Sequence, residues 1–343
     1  MNPALTPSDA PAARGFRRVA PAFVLFFMSP FVAEFLLGDF SIDAIWLLVV
    51  VAPMYGGGAL VVREVTRRLG RGWPTMMLLA LAYGIFEEGI VIQTLFNPNY
   101  LGLHLLREAY VPALGIGGWW TVFVLTLHTV WSISVPIALV EGMFAERRTT
   151  PWLGKLGVSI SAVLCVAGGI LVRGGTRKQD AFTASSVQQF ATWVILAIVV
   201  ILALSARRRA RVRPGSVPTT WLIGTITFVL GLGLMTAQSL VHGWALVSAD
   251  AGIDLIGAAL MLTWSRRGGW TTLHTLAAAG GAMLTYACMG FPQAPVVGSK
   301  GAIDLVGNAI FAALAVTLFV LALRKEQRLA ALPMQSDLSA TTG

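Results

Sequence analysis

Two adjacent glutamates and one histidine are the residues of this sequence that most suggest chemistry. Glu87 and Glu88 stand inside an apolar run from Thr75 to Phe96, and His128 stands inside the next apolar run. A carboxylate at membrane depth costs several kcal/mol unless it is paired, protonated or facing water, so it marks a functional site by default. The structural alternative is a buried pair of Glu and His that only fixes the register of two helices.

The predicted depths of Glu88 and His128 match, on helices joined by one connection, so the sequence allows contact between the two side chains but does not establish it. At a helical rise of about 1.5 Å per residue, Glu88 lies about 12 Å and His128 about 13 to 14 Å below the same membrane face. Pro136 removes the helical donor of the Ser132 carbonyl, which then needs another partner. Further polar and aromatic residues fall at suitable positions, and we predict that the site is lined by Tyr55, Tyr83, Trp131, Ser132 and Asp254.

The composition places these residues in a membrane protein. The chain of 343 residues is 56% hydrophobic and only 12% charged, with a mean hydropathy of +0.74, which no ordinary soluble domain of this length shows. The net charge of +9 comes from short basic clusters between apolar segments. Such clusters indicate orientation in a bilayer, so we expect a lipid bilayer and no nucleic acid as partner.

Ten apolar segments approach the roughly 20 residues that a spanning helix requires. We therefore predict an all-α transmembrane bundle of about ten spans over residues 16–332, with disordered tails at 1–15 and 333–343. The predicted spans are 20–38, 44–62, 75–96, 119–141, 156–172, 190–206, 220–241, 245–264, 272–291 and 303–323.

The basic residues support this number of spans. With the N-terminus in the cytoplasm, 20 of the 25 Lys and Arg residues fall in alternate, cytoplasmic connections, as the positive-inside rule requires. One span more or fewer would destroy the alternation. We therefore predict that both termini are cytoplasmic and that the membrane is a plasma membrane of bacterial type.

The Glu87–Glu88 pair, followed by His128 about one span later, resembles the CPBP family of intramembrane proteases, which includes CAAX prenyl proteases and bacteriocin-processing proteins. That family carries Glu-Glu-x-x-x-Arg, Phe-x-x-x-His and His-x-x-x-Asn on transmembrane helices. The resemblance covers residues 75–141 and implies that Glu87 and Glu88 include the base that activates water, assisted by His128. The motif positions of Arg and Phe hold Ile92 and Val124, and the chain has no His-x-x-x-Asn.

A wider pattern resembles uncharacterised multi-pass membrane proteins of actinobacterial type, which implies a family but no activity. It consists of Tyr55 with three following glycines, Glu87-Glu88-Gly and His128-Thr-Val-Trp-Ser. The second functional class is therefore a proton- or cation-coupled transporter of a small solute. In that class Glu87, Glu88 and Asp254 exchange protons or bind the cation, and Tyr55 and His128 line the path.

The sequence leaves protease, transporter and structural role open, and with them the substrate, a small solute or a membrane-embedded peptide. One histidine beside two glutamates offers too few ligands to predict a zinc site. The cofactor and the oligomeric state also stay open.

Overall fold

The computed structural model describes residues 16–206 and 212–331, and the predicted tails 1–15 and 333–343 lie outside them. The described residues form a bundle of ten long helices and one short hairpin, which confirms the predicted all-α polytopic fold. The helices are α1 (Phe16–Pro30, continued as Phe31–Phe35), α2 (Leu47–Arg68), α3 (Trp73–Ile85, continued as Phe86–Val91), α4 (Gly118–Leu127, His128–Ser134 and Val135–Met143), α5 (Lys155–Gln179), α6 (Ser186–Ser205), α7 (Thr220–Thr236, continued as Ala237–Ser239), α8 (Gly243–Trp264), α9 (Thr272–Met289) and α10 (Ala302–Ala330). The hairpin pairs β1 (Tyr110–Val111) with β2 (Ile116–Gly117).

Nine of these helices are long and apolar enough to cross a membrane, within the part of the chain that the structure describes. The exception is α9, which is rich in Ala, Gly and Thr and buries much of its surface, including Gly280, Gly281 and Tyr286, inside the bundle. A helix packed against other helices does not need the apolar surface that lipid contact requires. The low hydropathy of α9 therefore reflects its central position.

The connections contact one another in two separate groups, one at each end of the bundle. One group, which we call the Arg-rich end, consists of residues 63–72, 144–155, 212–219 and 265–271 and the last turns of α10. There Arg63 donates to the Arg148 carbonyl at 2.9 Å. At the opposite end, which we call the far end, Gln293 donates to Asp39 at 2.8 Å and Asn97 to Asp180 at 2.6 Å. Successive connections alternate between the two ends, so all ten helices cross the bundle.

The first four helices form the interior of the bundle. In the most apolar stretch of α2 and of α4, 67% of the residues are buried, whereas the buried share in the corresponding stretches of α6 and α8 is 11%. The lipid-facing helices therefore surround a core of α1 to α4 and α9, and the predicted polar site falls inside that core.

The Arg-rich end is closed by a buried ion network. Arg63 is 0% exposed and contacts Glu64 at 2.5 Å and Glu141 at 3.1 Å. Its guanidinium also lies 3.4 Å from the centre of the Trp152 ring, and Arg67 forms a second ion pair with Glu141. Every charge in the network has an opposite charge beside it.

Helix α3 ends at Val91, five residues before the predicted end of its span at Phe96. Its last turn, Phe86–Val91, is a wider π-helical turn, and Gln93 then reverses the chain with φ of 66°. The Gln93 amide oxygen accepts from Arg173 at 2.9 Å and from the backbone of Ala184 at 2.8 Å, which holds this unusual conformation in place. The residues after Val91 therefore fold back instead of continuing the helix.

The three glycines after Tyr55 allow close packing of α2. A Cβ at Gly56 would lie 2.1 Å from the Phe26 carbonyl oxygen, and one at Gly57 would lie 2.7 Å from the Ser161 carbonyl oxygen. A Cβ at Gly58 would lie 2.3 Å from the ring of Tyr83. Two glycines thus admit neighbouring helices and the third admits a residue of the predicted site.

We expect Gly58→Ala to lower the free energy of unfolding by about 1 to 3 kcal/mol, because the added methyl displaces the Tyr83 ring from a packed core. Thermal unfolding of the purified protein in detergent measures the change. Gly252→Ala is the matched control, since a Cβ there meets nothing within 4 Å and the helix gains about 0.5 to 1 kcal/mol. Equal unfolding temperatures for Gly58→Ala and the wild type would contradict the packing argument.

Candidate functional site

Three π-helical turns supply the acidic residues and the histidine of the site. Among the described residues, π turns occur at Phe31–Phe35, Phe86–Val91 and His128–Ser134. They contain Glu34, the Glu87–Glu88 pair and His128, respectively. A π turn inserts one residue into a helix and is frequently found at functional sites. The extra residue changes which side chains face inward, and it lets the two neighbouring glutamates approach one imidazole.

His128 lies between Glu87 and Glu88. Its Nε2 is 2.7 Å from Glu88 Oε1, and its Nδ1 is 3.2 Å from Glu87 Oε2. The three residues are 6%, 0% and 4% exposed for His128, Glu87 and Glu88. The predicted contact between Glu88 and His128 is therefore confirmed, and Glu87 joins it to form what we call the triad.

The second carboxylate oxygen of Glu88 accepts a hydrogen bond on the side of the site that faces the far end of the bundle. Thr94, in the segment that folds back after α3, donates its hydroxyl to Glu88 Oε2. Trp120, in the first turn of α4, donates its indole N–H to that hydroxyl at 3.0 Å. Thr94 and Trp120 therefore separate Glu88 from the far end.

Ser132 follows His128 by one helical turn in α4, and its hydroxyl lies 3.1 Å from the ring Nδ1. Its carbonyl, which Pro136 deprives of a helical donor, accepts from the hydroxyl of Ser29 at 2.6 Å. The predicted need for a new donor is confirmed, and it links α1 to the π turn of α4.

Two tyrosines complete the aromatic surroundings of the imidazole. Tyr55 stacks on His128 with ring centres 6.1 Å apart, and Tyr83 meets the same ring edge-on at 6.2 Å. Tyr55 also donates its hydroxyl to Glu34, which brings a third acid from α1 to the edge of the triad. Tyr55, Tyr83 and Ser132 thus lie where the sequence placed them.

Several buried polar atoms of the site have no hydrogen-bond partner of good geometry in the described residues. They are both carboxylate oxygens of Glu87 and the hydroxyl of Tyr83. A buried polar group without a partner costs about 1 to 3 kcal/mol, and such groups are uncommon in folded proteins. Glu87 therefore keeps acceptor capacity for a proton or another cation.

The site has an excess of acid groups. In the described residues, the ion pairs made by Arg and Lys involve Glu64, Glu141, Glu146 and Glu326, all at the Arg-rich end. Glu34, Glu87 and Glu88 thus have His128 as their shared basic partner. Buried carboxylates without a compensating cation take up protons or bind a metal. One ligand atom from each member of the triad lies within 4.8 Å of the other two, so a single small cation is able to contact all three.

The acidic character extends to the connection after α1. Burial raises the pKa of Asp39 to about 6, against the opposing effect of the hydrogen bond from Gln293. The backbone N–H of Asp39 donates to the Glu34 carbonyl at 3.0 Å, so this connection adds a further acid next to Glu34.

Two predicted lining residues make their contacts elsewhere. Trp131 donates its indole N–H to the Ala282 carbonyl at 2.6 Å and stacks on Tyr286 with ring centres 4.7 Å apart. Asp254 accepts from the hydroxyl of Thr126 at 2.6 Å. Within the described part of the chain, no hydrogen bond or ring contact joins Trp131 or Asp254 to the triad. These two residues connect α4 with α9 and α8.

The predicted site residues did not include Glu34, Thr94 and Trp120. Glu34 and Thr94 had a usable signal, since Glu34 is the one acidic residue in the first apolar run and Thr94 follows Glu87 by seven positions, two helical turns. Trp120 had none, because its contact depends on the chain reversal at Gln93 that places Thr94.

The fold and the site define a polytopic α-helical membrane protein with a buried glutamate–histidine cluster. A family model described as an uncharacterized membrane protein family matches residues 23–325, so the chain belongs to that family. The match includes the whole triad and most of α10. No curated protein and no solved structure matches the chain.

Proposed function

We propose that the triad is a proton-transfer site that couples proton movement to the movement of a small solute across a bacterial-type plasma membrane. The observation that carries the proposal is that both ring nitrogens of His128 face a buried carboxylate, at 2.7 Å and 3.2 Å. Chains of Glu and His inside a membrane are typical of proton relays.

The geometry supports a two-step exchange through the ring. A neutral imidazole has one N–H donor and one acceptor nitrogen. When Glu88 is protonated, its proton passes to Nε2, and the ring then releases the Nδ1 proton to Glu87 after a small rotation from the Ser132 hydroxyl toward that carboxylate. The net change is one proton moved from Glu88 to Glu87 with the ring in its other tautomer, and a reverse transfer or a ring flip restores the first tautomer.

The connections of the two glutamates give the relay a direction. Glu88 lies on the far-end side of the triad, where Thr94 and Trp120 hold its second oxygen by hydrogen bonds but do not carry protons, since an indole N–H only donates. Glu87 lies on the side of Tyr55, whose hydroxyl reaches Glu34 on α1. Within the triad, protons therefore pass between Glu88 and the side of α1, and the charge of Glu34 follows the state of Glu87. A solute whose binding changes the position of α1 is thereby coupled to protonation.

The direct contact favours a relay over the activation of water, which the resemblance to CPBP proteases implied. A distance of 2.7 Å between Glu88 and His128 is a direct hydrogen bond. A water molecule to be activated would then have to lie elsewhere in the site, and the chain lacks the His-x-x-x-Asn motif of that family.

The orientation is part of the proposal. The Arg-rich end collects most of the basic residues of the chain, and the positive-inside rule assigns that end to the cytoplasm. Both termini are then cytoplasmic, and Thr94 and Trp120 face the outside.

We expect Glu88→Gln to abolish proton movement while leaving the fold intact, because the amide keeps the size of the side chain but does not ionise. The protein is reconstituted into proteoliposomes on a solid-supported membrane, and the charge displaced after a pH jump is measured. The displaced charge should fall about 100-fold or more, the lower end of the range for acid–base steps.

Glu108→Gln is the matched control, since Glu108 lies at the far end and pairs with His242 at 3.6 Å outside the triad. It should displace as much charge as the wild type. Unchanged charge displacement in Glu88→Gln would overturn the proposal. A wild type that displaces no charge but yields a membrane-peptide cleavage product, lost in Glu88→Gln, would establish the protease instead.

A further inference from the structure

A groove separate from the triad lies between α7, α9 and α10 and opens sideways at the Arg-rich half of the bundle. Its volume is about 390 Å³, within the range of small-molecule sites. Its walls carry mostly apolar groups, with Phe228 and Leu284 toward the middle of the bundle and Leu323 nearer the Arg-rich end. The groove therefore suits a hydrocarbon chain.

The close approach of α9 to its neighbours shapes this groove. A Cβ at Gly280 would lie 2.3 Å from the ring of Phe319, and one at Gly281 would lie 2.1 Å from the Gly224 carbonyl oxygen. The two glycines let α7 and α10 pack tightly on α9. The exposed outer wall is formed by Trp221 and Thr225, and the groove is open toward the lipid on this side.

The groove is polar where it meets the Arg-rich end of the bundle. Thr220, at the start of α7, and Gln327, near the end of α10, line it there. Both side chains offer hydrogen-bond donors. An apolar slot with donors at its membrane-surface end matches a lipid whose headgroup accepts hydrogen bonds.

Two arginines add positive charge at this end. Arg324 and Arg328 follow the lining residues Leu323 and Gln327 by one position each, and both are exposed. Neither forms an ion pair with another described residue, whereas the neighbouring Lys325 pairs with Glu146. The charge of these two arginines is thus available to an anion at the groove.

The nearest carboxylate does not oppose such an anion. Glu326 accepts from Arg148 through both oxygens at 3.1 Å and from the hydroxyl of Thr272 at 2.9 Å. Its charge is therefore compensated inside the protein, and the groove end keeps a positive balance.

We propose that this groove binds an anionic phospholipid, with one acyl chain along α9, between α7 and α10, and the phosphate beside Arg324 and Arg328. Basic pockets between transmembrane helices bind the headgroups of anionic lipids in this way. The lipid would lie over the surface of α9, between the walls that α7 and α10 form. The groove does not reach the triad, so this inference stands independently of the proton-transfer proposal.

Native mass spectrometry of the purified full-length protein tests the inference, with phosphatidylglycerol and phosphatidylcholine added in turn. The wild type should bind phosphatidylglycerol more tightly than phosphatidylcholine. Arg324→Gln with Arg328→Gln should lower the phosphatidylglycerol affinity about 30-fold, at about fivefold for each charge. Arg177→Gln with Lys178→Gln removes two exposed charges from the far end and should leave the affinity unchanged.

A second variant tests the acyl-chain slot. Thr225→Phe fills the groove from its exposed wall and should weaken both lipids, whereas Val229→Phe adds the same ring at an exposed position outside the groove and should not. Equal affinities for the two lipids in the wild type, or an unchanged affinity in the double arginine variant, would overturn the proposal. A dimer mass that Thr225→Phe disrupts would show that a second copy covers the groove instead.

Discussion

Replacement of Arg63 by methionine is expected to lower the free energy of unfolding by about 3 to 5 kcal/mol, because it leaves buried carboxylates without their cation. The side chain is fully buried and bonds to Glu64 and Glu141 as well as to two backbone carbonyls of the α4–α5 connection. Methionine fills a similar volume but satisfies none of these acceptors. It also removes the guanidinium from the face of Trp152.

The two acids do not lose all their partners, which limits the expected loss. Glu64 still accepts from the backbone N–H groups of Trp152 and Leu153 at 2.9 and 3.2 Å. Glu141 still pairs with Arg67. Arg68 also stays 3.7 Å from Glu64, so each acid keeps one cation and the expected loss lies at the lower end of that range.

Unfolding of the purified variant, followed by heat or denaturant in detergent, measures the effect. Lys325→Ala is the matched control, because its ion pair with Glu146 lies at the same end but is 41% and 52% exposed. An exposed pair contributes about 0 to 1 kcal/mol. If both variants unfold like the wild type, the network does not stabilise the fold.

Replacement of His128 by leucine is expected to abolish the pH-jump charge displacement, by about 100-fold or more. Leucine removes the bridge between Glu87 and Glu88, and the proton then has no acceptor between them. It also removes the basic partner of two fully or nearly buried acids, so we expect some loss of stability as well.

A second replacement separates function from folding. His128→Gln keeps a side chain that can donate and accept hydrogen bonds but does not titrate, so the fold is expected to persist while the displaced charge is lost. His242→Leu is the matched control, since that imidazole is 73% exposed at the far end. A folded His128→Gln variant with wild-type charge displacement would show that the triad does not relay protons.

Much of the fold could be predicted from the sequence because helical spans follow from local hydropathy. A run of about 20 apolar residues has one stable solution in lipid, since every backbone group must be satisfied within the segment. The meeting of Glu88 and His128 was predictable for a related reason: a constant rise per residue fixes depth, and consecutive helices share a membrane face.

The composition of the site was less predictable, and the residues show why. Trp131 follows His128 by three positions, yet it faces α9, while His128 faces α3. The π turn at His128–Ser134 adds a residue to the helical repeat, which rotates the side chains that follow. Spacing rules for an ordinary helix do not apply across such a turn.

The sequence by itself determined the class of protein, the ten helices and the matching positions of Glu88 and His128 along neighbouring helices, because each depends on composition and on local helical geometry. Only the tertiary structure decided that Glu34, Thr94 and Trp120 belong to the site and that Trp131 and Asp254 make their contacts elsewhere. These assignments depend on three π turns and on the chain reversal at Gln93. Such features are stabilised by contacts between helices far apart in the chain, which no local pattern encodes.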